Sequence, residues 1–109
     1  MRFISFEPLL EFLGYLNLKN INWIIAGGES GAGARPMKKE WIKDIKRQCI
    51  IENIPFFFKQ WGGVNKKKSG RILDGQIWDN MPNILKKNND IHHKKNTQIE
   101  NYNIMSIGT

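Results

Sequence analysis

Ten residues, Gly27-Gly28-Glu29-Ser30-Gly31-Ala32-Gly33-Ala34-Arg35-Pro36, form the stretch whose composition points most directly to chemistry. Glycine lets a backbone come close to a ligand, and Arg35 adds a cation near the start of a following helix. A phosphate or carboxylate could rest on such a loop, with Gly28, Gly31 and Gly33 as its anion-binding backbone. The competing reading is a tight strand-to-helix turn whose glycines meet geometric needs only. More specific versions of the loop fail. A P-loop needs Lys followed by Ser or Thr after its last glycine, whereas Ala34-Arg35 follows Gly33. A dinucleotide fingerprint counted from Gly31 and Gly33 puts Pro36 at its third glycine. A nucleophile elbow centred on Ser30 meets Ala32 where glycine is required, and the only histidines, His92 and His93, lie in a polar tail.

Two carboxylates, Glu7 and Glu29, each follow an apolar run. On neighbouring strands they would face one mouth, where a pair of acids can bind a cation or share a proton. The plainer alternative, slightly favoured here, makes them structural ion pairs with Arg35 or Lys59, since no third member of a catalytic set is visible. Lys59, Gln60 and Trp61 end a third apolar run, and Trp61 could stack on a flat ligand. With Ser30 and Arg35 these are the candidate substrate-end residues. No catalytic residue is established among them, and no metal site is expected.

The elements that must position these groups are legible as strands and helices. Arg2–Phe6, Ile21–Ala26 and Pro55–Phe58 read as strands, the latter two as continuous apolar runs suited to a parallel sheet covered on both faces. Each stops at polar residues, and ligands of parallel α/β folds sit at the carboxyl ends of strands. Leu9 to Leu16 is expected to form a short helix. From Lys38 to Asn53, Trp41, Ile42, Ile45 and Cys49 recur at helical spacing, with Lys39, Lys43, Asp44, Lys46 and Arg47 opposite. After Trp61 comes a basic loop, then a hairpin turning at Asp74-Gly75. The expected fold is α/β: a partial (β/α) barrel fragment of about three parallel strands over 1–62, a basic loop and hairpin over 63–82, and a polar, disordered tail over 83–109. Such a unit has two open sheet edges. A closed barrel takes about 250 residues, so the expectation is a truncated or split portion of one.

The net charge is +7, and all of the excess falls after residue 37, densest around Lys66-Lys67-Lys68 and Arg71. These four residues are the nucleic-acid candidates, since a basic patch can meet phosphate; a solvated loop is the plainer reading. No transmembrane-length apolar run and no signal peptide is seen, so a cytoplasmic protein without membrane partners is expected. The single cysteine excludes an internal disulfide.

Three blocks of the sequence stand out together: Arg2-Phe3-Ile4-Ser5-Phe6-Glu7-Pro8-Leu9-Leu10, Trp23-Ile24-Ile25-Ala26-Gly27-Gly28-Glu29-Ser30-Gly31 and Ala34-Arg35-Pro36-Met37. Trp41, Gln48-Cys49, Pro55-Phe56-Phe57-Phe58-Lys59-Gln60-Trp61-Gly62 and Gly70-Arg71-Ile72-Leu73-Asp74-Gly75 follow them in order. On these residues the chain resembles a phage-associated family of unknown function, of the kind labelled by gene products thirty-seven and sixty-eight. Full-length relatives look like radical S-adenosylmethionine proteins, which implies an iron–sulfur cluster held by an N-terminal cysteine motif. None of that motif is present here, so no cofactor is expected in this chain. The resemblance implies the C-terminal part of such a protein, with a separately encoded N-terminal half as a candidate partner. Lys38 stands where relatives carry a better helix cap, and a cation is unfavourable there.

Overall fold

A computed structural model describes residues 1–65, 69–83 and, as backbone, 103–107. Three strands, β1 (Arg2–Phe6), β2 (Trp23–Ala26) and β3 (Phe56–Phe58), run parallel. They lie side by side in chain order. Phe3 sits opposite Trp23, and Ala26 is shared between Phe6 on one side and Phe58 on the other. Helix α1 (Lys39–Ile51) connects β2 to β3 and buries Ile42, Ile45, Gln48 and Cys49 on one stripe. The alternation of each strand divides its side chains between two faces. Ile4, Phe6, Ile24, Ala26, Phe56 and Phe58 join the α1 stripe in the main core, while Phe3 and Trp23 centre a second cluster with Ile25 and Phe57.

The helix expected over Leu9 to Leu16 is absent, and the segment is an irregular loop. Gly14 takes a φ of 67° in the middle of it, a left-handed conformation that a right-handed helix cannot contain. The loop's backbone groups find tertiary partners instead. Leu9 N–H donates to Gly27 O at 2.9 Å. The Gln48 side chain accepts from Leu16 N–H at 2.8 Å and donates to Gly14 O at 2.8 Å. The leucine spacing that resembled a helical face anchors a loop: Leu9 and Leu18 are buried, and Leu13 and Leu16 pack beside them.

The hairpin forms where Asp74-Gly75 predicts it, with β4 (Ile72–Leu73) antiparallel to β5 (Gln76–Ile77). Asp74 and Gly75 have φ of 51° and 81°, the left-handed pair of a tight hairpin turn. Leu73 enters the main core. The Trp78 indole N–H donates to Leu73 O at 2.7 Å, and that of Trp61 to Ile72 O at 2.6 Å. The Trp61 indole thus ties the hairpin to the segment that follows β3, and the Trp78 indole closes the hairpin on itself.

The sheet edges are closed, contrary to expectation. Beyond β3, Phe58 N–H donates to Trp78 O and Asn80 N–H to Phe56 O, so the segment around Asp79 lies antiparallel along that edge. Beyond β1 runs a fourth parallel strand, β6 (Asn103–Ile107), giving the order β3-β2-β1-β6. The disorder expected over 83–109 otherwise falls outside the described residues. Within it, a five-residue stretch becomes a strand because an unpaired β1 edge offers a ladder of backbone donors and acceptors.

Candidate functional site

The carboxyl ends of β1, β2 and β3 bring the polar residues singled out in the sequence to one rim. After β1, Glu7 Oε1 accepts from Ser5 Oγ at 2.8 Å, and Glu7 Oε2 lies 3.0 Å from Lys59 Nζ, just past β3. After β2, Glu29 is gripped by Arg35 in a fork: Nε to Oε1 at 2.9 Å and Nη2 to Oε2 at 2.8 Å, with the Arg35 backbone N–H also on Oε1 at 2.9 Å. The side-chain and backbone hydrogen bonds from Arg35 hold the Glu29 carboxyl down at about 2. Each glutamate thus has its own cation, and Glu29 stays ionised through the physiological range. Neither is arranged as a shared-proton pair.

The glycine loop is built by close crossing of two backbones. A Cβ on Gly28 would lie 2.0 Å from Trp61 O, and one on Gly62 would lie 2.3 Å from Glu29 O. The amides of Gly28 and Gly31 donate to Gln60 O and Gly63 O, and the Gln60 side chain donates to Gly28 O at 3.2 Å. In this arrangement those two N–H groups serve the fold. Gly31 and Gly33, at φ of 101° and 79°, have open space where a Cβ would be. Ser30 Oγ is buried with no hydrogen-bond partner. The rim therefore offers the Glu29–Arg35 fork, the Glu7–Lys59 pair, the Gln60 amide and the unsatisfied Ser30 hydroxyl.

Trp61 sits apart from this polar set. Its ring packs edge-on to Phe58 at 5.1 Å and belongs with the main core. Arg71 lies with its guanidinium 5.4 Å from the centre of the Phe57 ring, and its Nη2 is buried without a partner. Lys66, Lys67 and Lys68 lie outside the described residues, as do His92 and His93. Among the described residues no three His, Cys, Asp or Glu side chains gather as a metal site. Cys49 is fully buried on the inner face of α1, and burial pushes its thiol up to about 12. An iron–sulfur cluster needs several thiolates, so the residues of this chain do not fit one.

The family described as proteins of unknown function, DUF5131, matches residues 1–82. The chain belongs to that family. No curated protein and no solved structure matches it. The DUF5131 match spans β1 through β5 and the whole rim, and stops before β6. Among the described residues no helix is long and apolar enough to cross a membrane.

Three features of the DUF5131 domain were not seen in its sequence. The sequence resemblance includes Gln48 without giving it a role, whereas in the structure it is buried and holds the β1–β2 loop. Its place on the buried stripe of α1, between Ile45 and Cys49, was the available signal. Asp74 forms the turn that its sequence predicts and also binds Lys46 and Lys43 of α1, which lower its carboxyl below the usual range. Nothing in the spacing linked residues so far apart. Finally, the Ser30 hydroxyl and the Arg71 Nη2 atom are buried without hydrogen-bond partners, which no motif in the sequence signals.

Proposed function

We propose that this chain supplies the substrate end of a larger (β/α) barrel-type protein, radical S-adenosylmethionine-like and of the phage-associated kind that its sequence blocks resemble, and that it is not catalytically competent alone. The observation that supports this most is the convergence of Glu7, Glu29, Ser30, Lys59 and Gln60 at the carboxyl ends of parallel strands in sequential order. Sequential neighbours of one direction are what a barrel wall requires, and its chemistry sits at that rim. The Glu29–Arg35 fork is joined by three hydrogen bonds and keeps its charges at neutral pH, which suits positioning of a polar substrate better than proton transfer. A cluster and its cosubstrate belong, on this reading, to a separately encoded N-terminal half.

The test is anaerobic reconstitution with iron, sulfide and S-adenosylmethionine. The chain alone yields no 5′-deoxyadenosine; production of that compound by the pure chain refutes its incompetence. Mixed with a polypeptide carrying the cysteine motif and the early barrel strands, it copurifies and restores turnover. No association and no turnover in that mixture sinks the barrel reading.

The charge of +7 supports a second reading, a small basic module that binds nucleic acid. Phosphate contacts make affinity fall steeply between low and moderate salt. Affinity that ignores salt removes this reading. Arg71, stacked over Phe57, contributes little to it in this arrangement.

A further inference from the structure

The two edges of the parallel sheet are closed in different ways. The β3 edge is covered by residues inside the family match, and that cover is locked: Trp78 is tied to Leu73 O, and Asn80 O accepts the Trp23 indole N–H at 2.9 Å. Among the described residues the β1 edge is covered by β6 alone, which lies outside the match. The described residues within the family match therefore leave the β1 edge uncovered.

What fills it imitates a neighbouring sheet strand. β6 is parallel to β1 and pairs along its whole length, from Arg2 opposite Asn103 to Phe6 opposite Ile107. The two segments share one pattern, polar–apolar–apolar–Ser–apolar, so that Ser5 stands opposite Ser106. Parallel pairing at an edge is what a preceding barrel strand would contribute. We infer that the outer edge of β1 is a docking site for a parallel strand of a partner polypeptide, and that Asn103–Ile107 is a stand-in that occupies it in cis. This inference rests on the reading of the chain as one end of a larger parallel sheet. β6 then has two consequences. It protects an edge that would otherwise recruit other chains, and it competes with the partner strand for the same backbone groups.

The backbone geometry names those groups. Arg2 O and Phe6 O accept from Asn22 and Gly27 N–H, so Arg2, Ile4 and Phe6 address β2. The N–H groups of Phe3 and Ser5, one residue out of phase, address β6. Amide hydrogen exchange of the full chain reads them individually. The full chain protects Phe3, Ser5 and Ile4. A full-length variant carrying Ile104→Pro and Met105→Pro, which removes ladder donors of both phases, loses protection at Phe3 and Ser5 and keeps it at Ile4. A synthetic peptide with the sequence of residues 101–109 restores it.

Fast exchange of Phe3 and Ser5 in the unaltered chain shows that β6 does not hold the edge and overturns the proposal. So does a peptide that restores nothing. If the variant loses Ile4 protection as well, the peptide still decides: recovery of all three amides supports a strand-receiving edge, and no recovery makes β6 an ordinary structural strand. Because the peptide probes the edge alone, docking can succeed while the cluster-bearing half fails to bind, which separates the failure of the functional reading from the failure of this one.

Discussion

Gln48 is the side chain whose removal should do the most damage for its size. It is 8% exposed on the buried stripe of α1. Its amide oxygen accepts from Leu16 N–H at 2.8 Å, and its amide nitrogen donates to Gly14 O at 2.8 Å and to Asp44 Oδ2 at 3.0 Å. Gln48→Ala leaves one backbone donor and one backbone acceptor of the β1–β2 loop unpaired. A buried polar group without its partner costs about 1–3 kcal/mol. The neighbouring groove of about 500 Å³, lined by Phe12, Tyr15, Asn17 and Arg47 among others, admits some water. That brings the combined cost to the lower half of the range, about 2–4 kcal/mol. Small domains have only about 5–15 kcal/mol in total, so the midpoint of urea unfolding should fall by a large fraction.

Gln48→Glu separates hydrogen bonding from packing. The carboxylate still accepts from Leu16 N–H, but it faces Gly14 O and the Asp44 carboxylate with no proton to give. The native state therefore favours the protonated acid, and the folded pKa of Glu at this position lies above the unfolded value of about 4.3. A native state that binds the proton more tightly than the unfolded chain loses stability as pH rises. The penalty relative to the unaltered protein is small below pH 4.3 and grows as pH rises through and above it. Gln48→Ala shows no such dependence. Paired urea titrations at pH 4 and pH 7 measure both. A Gln48→Ala cost under about 0.5 kcal/mol, within the usual effect of an unimportant surface change, refutes the clamp, and a pH-independent Gln48→Glu cost refutes its donor half.

Helix α1 has Lys38 at its N-cap with no side-chain cap; Lys38→Asp supplies an acceptor and a favourable charge, and raises thermal stability by about 1 kcal/mol. Gly28→Ala drives a Cβ to 2.0 Å from Trp61 O and costs about 3 kcal/mol or prevents folding, whereas Gly33→Ala meets open space and costs only the left-handed strain of about 1–2 kcal/mol. Equal effects on denaturant midpoints would contradict the packing role given to Gly28. Arg35→Ala returns the Glu29 carboxyl from about 2 toward 4.5, read by carbon NMR of its side chain. The ordinary value lies above the folded one, so the pair's contribution is complete above pH 4.5 and disappears as pH falls toward 2. A Glu29 titration unmoved by Arg35→Ala excludes the fork as its cause.

Much of this architecture is legible because it is local. Continuous apolar runs mark β2 and β3, the Trp41–Cys49 spacing marks α1, and Asp74-Gly75 marks the hairpin, each through a period or a turn preference that neighbouring residues carry. The failures are tertiary. Leu9 to Leu16 carries helical spacing, but the conformation of Gly14 and the amide of Gln48 outweigh it. Asn103–Ile107 is short and set in polar sequence, so only the presence of the β1 edge makes it a strand. At the rim, the glutamates, Lys59 and Gln60 were visible as polar residues ending apolar runs. The commitment of the Gly28 and Gly31 amides was invisible, since it depends on a second loop more than thirty residues away.

That crossing also bears on what the rim can do. Ion pairs at a surface contribute little to stability, so the Glu29–Arg35 fork and the Glu7–Lys59 pair are poor candidates for holding the fold together. Their effect is geometric: two carboxylates and two cations are fixed at the ends of adjacent strands while the backbone between them is locked by Gly28 and Gly62. A site meant for proton transfer would carry a carboxyl tuned toward neutrality, and Glu29 is held far from it. A site meant to orient a polar substrate for chemistry supplied from elsewhere needs rigid charges that do not titrate. The Glu29–Arg35 fork of this DUF5131 chain has that character. On the reading proposed above, the β1 edge is where a partner polypeptide would join the sheet, in place of β6.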